Sequence, residues 1–284
     1  MILIDYSGIA IAPIAMGACG YDDENMIRHM ILNTIRMYRK QFGKKYGEVV
    51  IVADGGGNWR KDVYPEYKGK RSSAREKSKI DWNIAFNNIG KVFDEIGENF
   101  PYKTIRQWGC EADDTIAEIV KWTQDFGNYE EVMIVSADHD FKQLQKFRNV
   151  AQWSNTQKKA VVSKNPRLDQ LEHFITGCKG DGVPNALSDD RVIVEDRRMV
   201  MLTAKKKAAL MENPEALGEE VYRNFLRNKK MIDLTEKSEC PESVKKDIIN
   251  KFEGQDRSTN RNKVLPFLIS KQCRLLVEVT EEFL

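Results

Sequence analysis

The chain predicts an α/β fold, with a mostly parallel central sheet, helices on both faces and a mainly helical C-terminal part. Three observations carry that expectation. Short apolar runs of strand length alternate with amphipathic helical stretches up to about residue 165, the pattern of a doubly wound sheet. Several of these runs stop at an aspartate, as Ile2-Leu3-Ile4 does at Asp5 and Val49-Val50-Ile51-Val52-Ala53 does at Asp54. From Asn165 onward the strand-like runs cease and only helical patterns remain.

Residues 2–5 read as a buried strand. Residues 23–42 read as a helix, because Ile27, Ile31, Ile35, Tyr38 and Phe42 recur on one face at helical spacing. Gly43-Lys44-Lys45-Tyr46-Gly47 reads as the turn into a second strand, 48–53. A helix over 81–97 presents Ala85, Ile89, Val92 and Ile96, and a short strand follows near 103–106. Residues 112–122 place Ala112, Ile116, Ile119 and Val120 on one side of a helix, ahead of a strand at 131–136. A short helix runs from Asp140 through Leu144, and extended pieces near 149–153 and 159–163 belong at the sheet edge. Helical patterns then cover 167–176, 203–212, 216–228, 242–252 and 262–271. The expected division is a core over 1–187, with a basic loop at about 55–80, and a helical domain over 188–284.

Composition narrows the function classes. The 284 residues are 41% hydrophobic and 31% charged, with no apolar run near the ~20 residues a membrane helix needs. Met1 leads directly into Ile-Leu-Ile-Asp, which leaves no room for a secretory signal. Five cysteines, an odd number without a C-x-x-C pair, fit a reducing compartment better than disulfides or a zinc finger. A cytoplasmic protein with no membrane partner is expected.

Carboxylates cluster where parallel strands end, the edge at which open sheets bind ligands. They are Asp5, Asp54, Glu111, Asp113, Asp114, Asp138, Asp140 and Asp181. Gathered acids raise one another's pKa unless a cation neutralises them, and oxygen donors in that number suit Mg²⁺ or Mn²⁺ over zinc. With those acids set aside, the remainder of the chain is basic. Between Asp54 and Ile80 lie eight cationic residues against three acids, with Trp59, Tyr64 and Tyr67 interleaved. Basic groups hold phosphates while aromatic faces stack on unpaired bases, so Trp59, Arg60, Lys61, Tyr67, Lys68, Lys70, Arg71 and Arg75 are the expected nucleic-acid contacts. His139 stands between two acids with no serine or cysteine nucleophile placed beside it, and His29 and His173 read as surface or boundary residues.

Six motifs then carry a resemblance: Leu3-Ile4-Asp5-Tyr6-Ser7, Trp59-Arg60-Lys61-Asp62, Pro65-Glu66-Tyr67-Lys68-Gly69-Lys70-Arg71, Glu111-Ala112-Asp113-Asp114, Ser136-Ala137-Asp138-His139-Asp140-Phe141 and Gly180-Asp181-Gly182-Val183-Pro184-Asn185. In this order and spacing, over residues 2–187, they resemble the 5′-nuclease (flap endonuclease and 5′→3′ exonuclease) family, most closely its T-even phage ribonuclease H branch. The resemblance implies a PIN-like nuclease core, an arch over the site, a helix–three-turn–helix-like element after Asp181, and two Mg²⁺ ions for which Mn²⁺ can substitute. It places Asp5, Asp54, Glu111, Asp113 and Asp138 at the first metal, Asp140 and Asp181 at the second, and Asp114 behind them. Lys68 and Arg71 match the arch residues that steer the scissile phosphate.

The family segment G-D-x-x-D-N departs here, since Pro184 stands three residues after Asp181 and offers no side-chain oxygen. The expectation is either a more loosely bound second metal or compensation by Asp189 or Asp190. The implied activity is Mg²⁺-dependent 5′→3′ nuclease and ribonuclease H cleavage of RNA–DNA and DNA–DNA duplexes and 5′ flaps, removing RNA primers in phage-type lagging-strand replication. Implied partners are flap or forked DNA, a sliding clamp and a single-strand-binding protein, for a monomer in the host cytoplasm. Glu281-Glu282-Phe283-Leu284 reads as a frayed terminus, with a clamp-binding hook as its alternative. Rival readings are a PIN-type single-strand ribonuclease and a structure-specific DNA-binding protein with weakened catalysis.

Overall fold

The computed structural model describes residues 1–125 and 129–284. Six strands form one sheet: β1 (Ile2–Asp5), β2 (Val49–Asp54), β3 (Lys103–Gln107), β4 (Val132–Val135), β5 (Val150–Ser154) and β6 (Lys159–Val161). Their order is β3-β2-β1-β4-β5-β6, with the first five parallel and β6 antiparallel at the edge. The chain runs outward from β1 through β2 to β3, then returns to the other side of β1 for β4. The sheet therefore has its switch point between β1 and β4, where a crevice opens at the carboxyl ends of the strands.

Two helices link β1 to β2, α1 (Tyr6–Ala15) and α2 (Glu24–Tyr46). Three lie between β2 and β3: α3 (Trp59–Val63), α4 (Lys70–Glu76) and α5 (Trp82–Asn99). After β3 comes α6 (Ala112–Asp125). Past β6 the chain is helical, through α7 (Pro166–Thr176), α8 (Ala204–Glu212), α9 (Glu219–Ile232), α10 (Glu242–Glu253), α11 (Val264–Ser270) and α12 (Arg274–Val277). Among the described residues, no helix is long and apolar enough to cross a membrane.

Side chains alternate across each strand, so β1 sends Ile2 and Ile4 to one face and Leu3 to the other. The Ile2/Ile4 face packs on α1, α2, α5 and α11, and the Leu3 face on α6, α7, α9 and α10. Each fully buried Val, Leu or Ile there contributes about 1.5–3 kcal/mol. Residues 188–284 add to both cores.

The structure departs from the sequence pattern at three places. Helix α1 was not anticipated: its residues are apolar on every side and include Pro13, so no periodicity marks it. Helix α2 runs on through Gly43 to Tyr46, past the expected turn, because Phe42 and Gly43 continue its buried face. It stops at Gly47, where φ is 76°, a conformation glycine adopts without strain. The C-terminal residues are docked, neither frayed nor free as a hook. Phe283 is fully buried, Tyr102 donates to its carbonyl at 2.7 Å, and Glu282 pairs with Arg36 and Lys40.

Candidate metal centre and nucleic-acid cleft

The switch point gathers the acids, and each is held by the element that delivers it. Asp5 ends β1 and caps α1: its Oδ1 accepts from Gly8 N at 3.2 Å and its Oδ2 from Ser136 Oγ at 2.9 Å. Asp54 ends β2 and caps α6, accepting from Ala112 N and Ser7 Oγ, both at 2.9 Å. Asp138, just beyond β4, accepts from Asp140 N at 2.9 Å. Glu111 and Asp113 open α6. Glu111 Oε2 accepts from the Tyr67 hydroxyl at 2.7 Å, and its Oε1 pairs with Lys68. Asp113 has no hydrogen-bonded or ion-paired partner among the described residues.

Repulsion within this group is strong. Burial, then the Asp54 carboxylate, pushes Asp5 up to about 6. Asp138 is exposed to solvent, yet the protein packed around its carboxyl, followed by Asp140 beside it, pushes it to about 7. Burial and the charges of Asp138, Asp5 and Glu111 raise Asp113. Among the described residues, no three Asp, Glu, His or Cys side chains stand close enough to hold one ion as they are. The acids instead face one another across the cleft, which is the electrostatic demand a cation would meet. The facing side chains are carboxylates, so the donor set fits a hard divalent ion.

Asp181 lies on a turn after α7, where its Oδ1 accepts from Arg71 Nη2 at 2.5 Å and lies 3.7 Å from Lys68 Nζ. Lys68 itself takes φ 56°, a strained value for a lysine, and its N–H donates to Asp181 O at 2.7 Å. The arch is thereby fastened to the acid turn at its base. Asp140 is buried, with His173 Nδ1 2.8 Å from its Oδ1. His173 is half-buried, the boundary position the sequence predicts, but its contact with Asp140 arises only where α7 and Asp140 meet in the fold.

Several expected roles change. Asp114 is buried under Arg60, which donates to both its oxygens at 2.6 and 2.9 Å, and Trp59 Nε1 lies 3.3 Å away. Its charge is matched by Arg60, which keeps it behind the other acids, where the resemblance places it. Arg60, Trp59 and Tyr67 are buried at 2%, 6% and 3% exposure and cannot stack on a base or reach a phosphate. They build the arch base instead. Lys61, Arg71 and Arg75 are exposed and, with Lys68, line a cleft of about 420 Å³ that reaches Asp54 and Glu111. Lys70 lines the adjoining cavity and pairs with Asp196.

Asp189 and Asp190 do not compensate for Pro184, since they pair with Arg197 and with Arg223 and Arg227. The carbonyl of Pro184 accepts from Asn228 at 2.8 Å, turned toward α9. On the other side of Asp181, three residues back, stands Cys178. Burial, then the Asp181 and Asp140 carboxylates, pushes its thiol up to about 12. Cys178, which the sequence already places next to an acidic motif, thus feels both carboxylates.

Residues 21–170 match the family described as 5′-3′ exonuclease, N-terminal resolvase-like domain. The chain belongs to this 5′-3′ exonuclease family. It is 30% identical to ribonuclease H of Enterobacteria phage T4, across 99% of this chain and 95% of that one. It is 26% identical to a 5′-3′ exonuclease of Mycoplasmopsis pulmonis, across 84% and 73%. Its fold is that of the T5 5′-exonuclease solved with bound zinc, with TM-score 0.60, 18% identity and 96% and 98% coverage. A T5 flap endonuclease complex with DNA and metal ions superposes at TM-score 0.61, with 18% identity and 94% and 98% coverage. As a member of this family, the chain is a nuclease of the hydrolase class.

Proposed function

We propose that this nuclease is a divalent-metal-dependent 5′→3′ exonuclease and flap endonuclease with ribonuclease H activity. Its substrates would be RNA–DNA and DNA–DNA duplexes with 5′ ends or flaps, and its role the removal of RNA primers during phage-type replication. One observation carries the reading: Asp5, Asp113 and Asp138 repel one another at the switch point of the sheet, beneath a basic arch fastened to Asp181. The names of the T4 and Mycoplasmopsis relatives, and the DNA and metal ions in the T5 neighbours' titles, support the substrate and cofactor classes.

Asp5, Asp54, Glu111, Asp113 and Asp138 would hold one Mg²⁺, and Asp140 and Asp181 a second. When bound, such ions lower the pKa of a coordinated water and offset charge on a phosphodiester. The chain's own groups do the positioning. Ser7 and Ser136 hold the Asp54 and Asp5 carboxylates by hydroxyl hydrogen bonds. Tyr67 fixes one Glu111 oxygen. Lys68 and Arg71 stand at the acid rim as the cations that would receive a phosphate. Lys68 keeps its proton, because the adjacent Glu111 and Asp181 carboxylates outweigh its burial and raise its pKa. Lys61 and Arg75 would extend the phosphate track along the cleft. We assign residues 1–187 to chemistry and the arch, and 188–284 to support of the substrate-binding face.

End-labelled flap, nicked and RNA-primed duplexes test the proposal. With Mg²⁺ the protein should release short 5′-phosphorylated products, and with EDTA none. Asp138→Asn should lower cleavage by orders of magnitude while duplex binding persists. Normal flap cleavage by Asp138→Asn refutes the site. Binding without product at any Mg²⁺ or Mn²⁺ concentration would favour the weakened-catalysis reading, which the Cys178 and Pro184 positions beside Asp181 motivate.

A further inference from the structure

The aromatic residues that the sequence offered to nucleic acid are buried, and a different one stands open at the same edge of the sheet. Trp108 is 71% exposed, and of the five tryptophans it alone is exposed. It directly follows Gln107, the last residue of β3, which pairs with Asp54 in the sheet register. Its indole lies against the glycine loop that leaves Asp54. A Cβ built on Gly57 would fall 2.9 Å from indole Cε2, and one on Gly56 would fall 3.0 Å from Cζ3. Gly56 and Gly57 have positive φ, 75° and 59° respectively, so the loop is bare where the ring rests.

Backbone hydrogen bonds lock the two loops together. Gly109 N donates to Gly56 O at 2.9 Å, and Trp59 N donates to Gly109 O at 3.1 Å. One ring face is thus seated on glycine backbone and the other faces solvent. Gly56 and Gly57 also line the cleft that carries Lys61, Arg71 and Arg75. A core residue would hide this indole, and a solvated loop would not need a bare, doubly bonded platform beneath it.

We propose that Trp108 is a stacking platform for one nucleobase of the substrate strand, placed beside the acidic site so that the phosphate next to that base enters the basic cleft. A flat, preset aromatic surface binds any base face without ordering a flexible side chain, and it fixes position without reading sequence. The inference rests on the nuclease reading and adds the residue that sets the register of the strand to be cut.

Fluorescent 5′-flap duplexes carrying a single abasic analogue at successive positions around the junction test it, with binding measured in EDTA so that no strand is cut. In the wild-type protein one abasic position should weaken binding roughly 5- to 150-fold, the factor that about 1–3 kcal/mol of stacking represents. In Trp108→Ala the intact duplex should bind that much less tightly, and the same abasic position should add no further loss. Trp108→Phe should restore part of the difference. Duplex binding should also quench tryptophan emission of the wild type but not of Trp108→Phe. An abasic penalty that is equal in wild type and Trp108→Ala overturns the platform while leaving the nuclease reading intact. Failure of both proteins to bind any duplex removes the nuclease reading, and this inference with it.

Discussion

Asp5 and Asp138 titrate near 6 and 7 in the fold, well above the unfolded value of about 3.9 for an aspartate. A carboxyl whose folded pKa is raised costs no stability below the unfolded value; its penalty grows as pH rises from the unfolded to the folded value and is constant above that. The metal-free protein should therefore lose stability between about pH 4 and pH 7, and a cation seated among the acids should restore it. Thermal unfolding in EDTA and in Mg²⁺ should show a larger Mg²⁺-induced rise in Tm at about pH 8 than at about pH 5. An equal or larger rise at the acidic pH contradicts the assigned centre. Arg60 and Asp114 present the opposite case, a buried pair that satisfies itself. Arg60→Met should cost about 3–5 kcal/mol in denaturant unfolding by stranding a buried carboxylate, and Arg60→Met with Asp114→Leu should recover much of that. The acids of the centre were legible because Asp5 and Asp54 end strands, Asp138 follows one, and Glu111 and Asp113 open the helix after another. The role of Arg60 was not, since a charge count cannot distinguish an arginine facing solvent from one 54 positions away from its buried partner.

At the scale of elements, strands β1, β2 and β4 are short apolar runs covered on both faces, so their residues announce them. The arch is harder to read. Its first part is anchored in the core by Trp59, Arg60, Tyr64 and Tyr67, whereas α4 buries no side chain at all. Both parts are basic in sequence, so charge alone does not separate the anchor from the exposed span. An exposed two-turn helix without core contacts opens readily. Hydrogen exchange should find amides of Lys70–Glu76 unprotected within the earliest time points, while Leu3 and Ile51 hold until global opening. Flap DNA should slow exchange in α4, and protection there without DNA would refute the anchor-and-span division. The glycine loop makes the converse prediction. Gly55→Ala would drive a Cβ to 1.6 Å from Gln107 O, backbone that cannot step aside, so the substitution should cost several kcal/mol and loosen the β2–β3 edge.

The molecule as a whole is closed by contacts that span nearly its full sequence. Phe283 packs in an edge-to-face pair with Phe100, with ring centroids 5.3 Å apart, inside the core that also holds Ile2 and Ile4. Arg39 Nη2 donates to Leu284 O at 3.1 Å, and Glu282 bridges Arg36 and Lys40 on α2. A two-acid, one-aromatic tail looks unstructured in sequence because its ring and ion-pair partners, Phe100, Arg36 and Lys40, and the hydroxyl of Tyr102 lie more than 180 positions away. The acidic edge proposed for the chemistry and this seam are joined through α2, which receives the tail and connects the Asp5 strand to the Asp54 strand. Phe283→Ala should therefore cost about 3–5 kcal/mol, as expected for an aromatic lost from a packed core, and lower Tm by several degrees. Glu282→Gln, which loses only half-exposed ion pairs, should cost about 1 kcal/mol or less. Deletion of residues 281–284 should match Phe283→Ala in denaturant midpoint. If the deletion leaves the midpoint unchanged, the tail is not part of the core and a free hook for a partner protein becomes the better account.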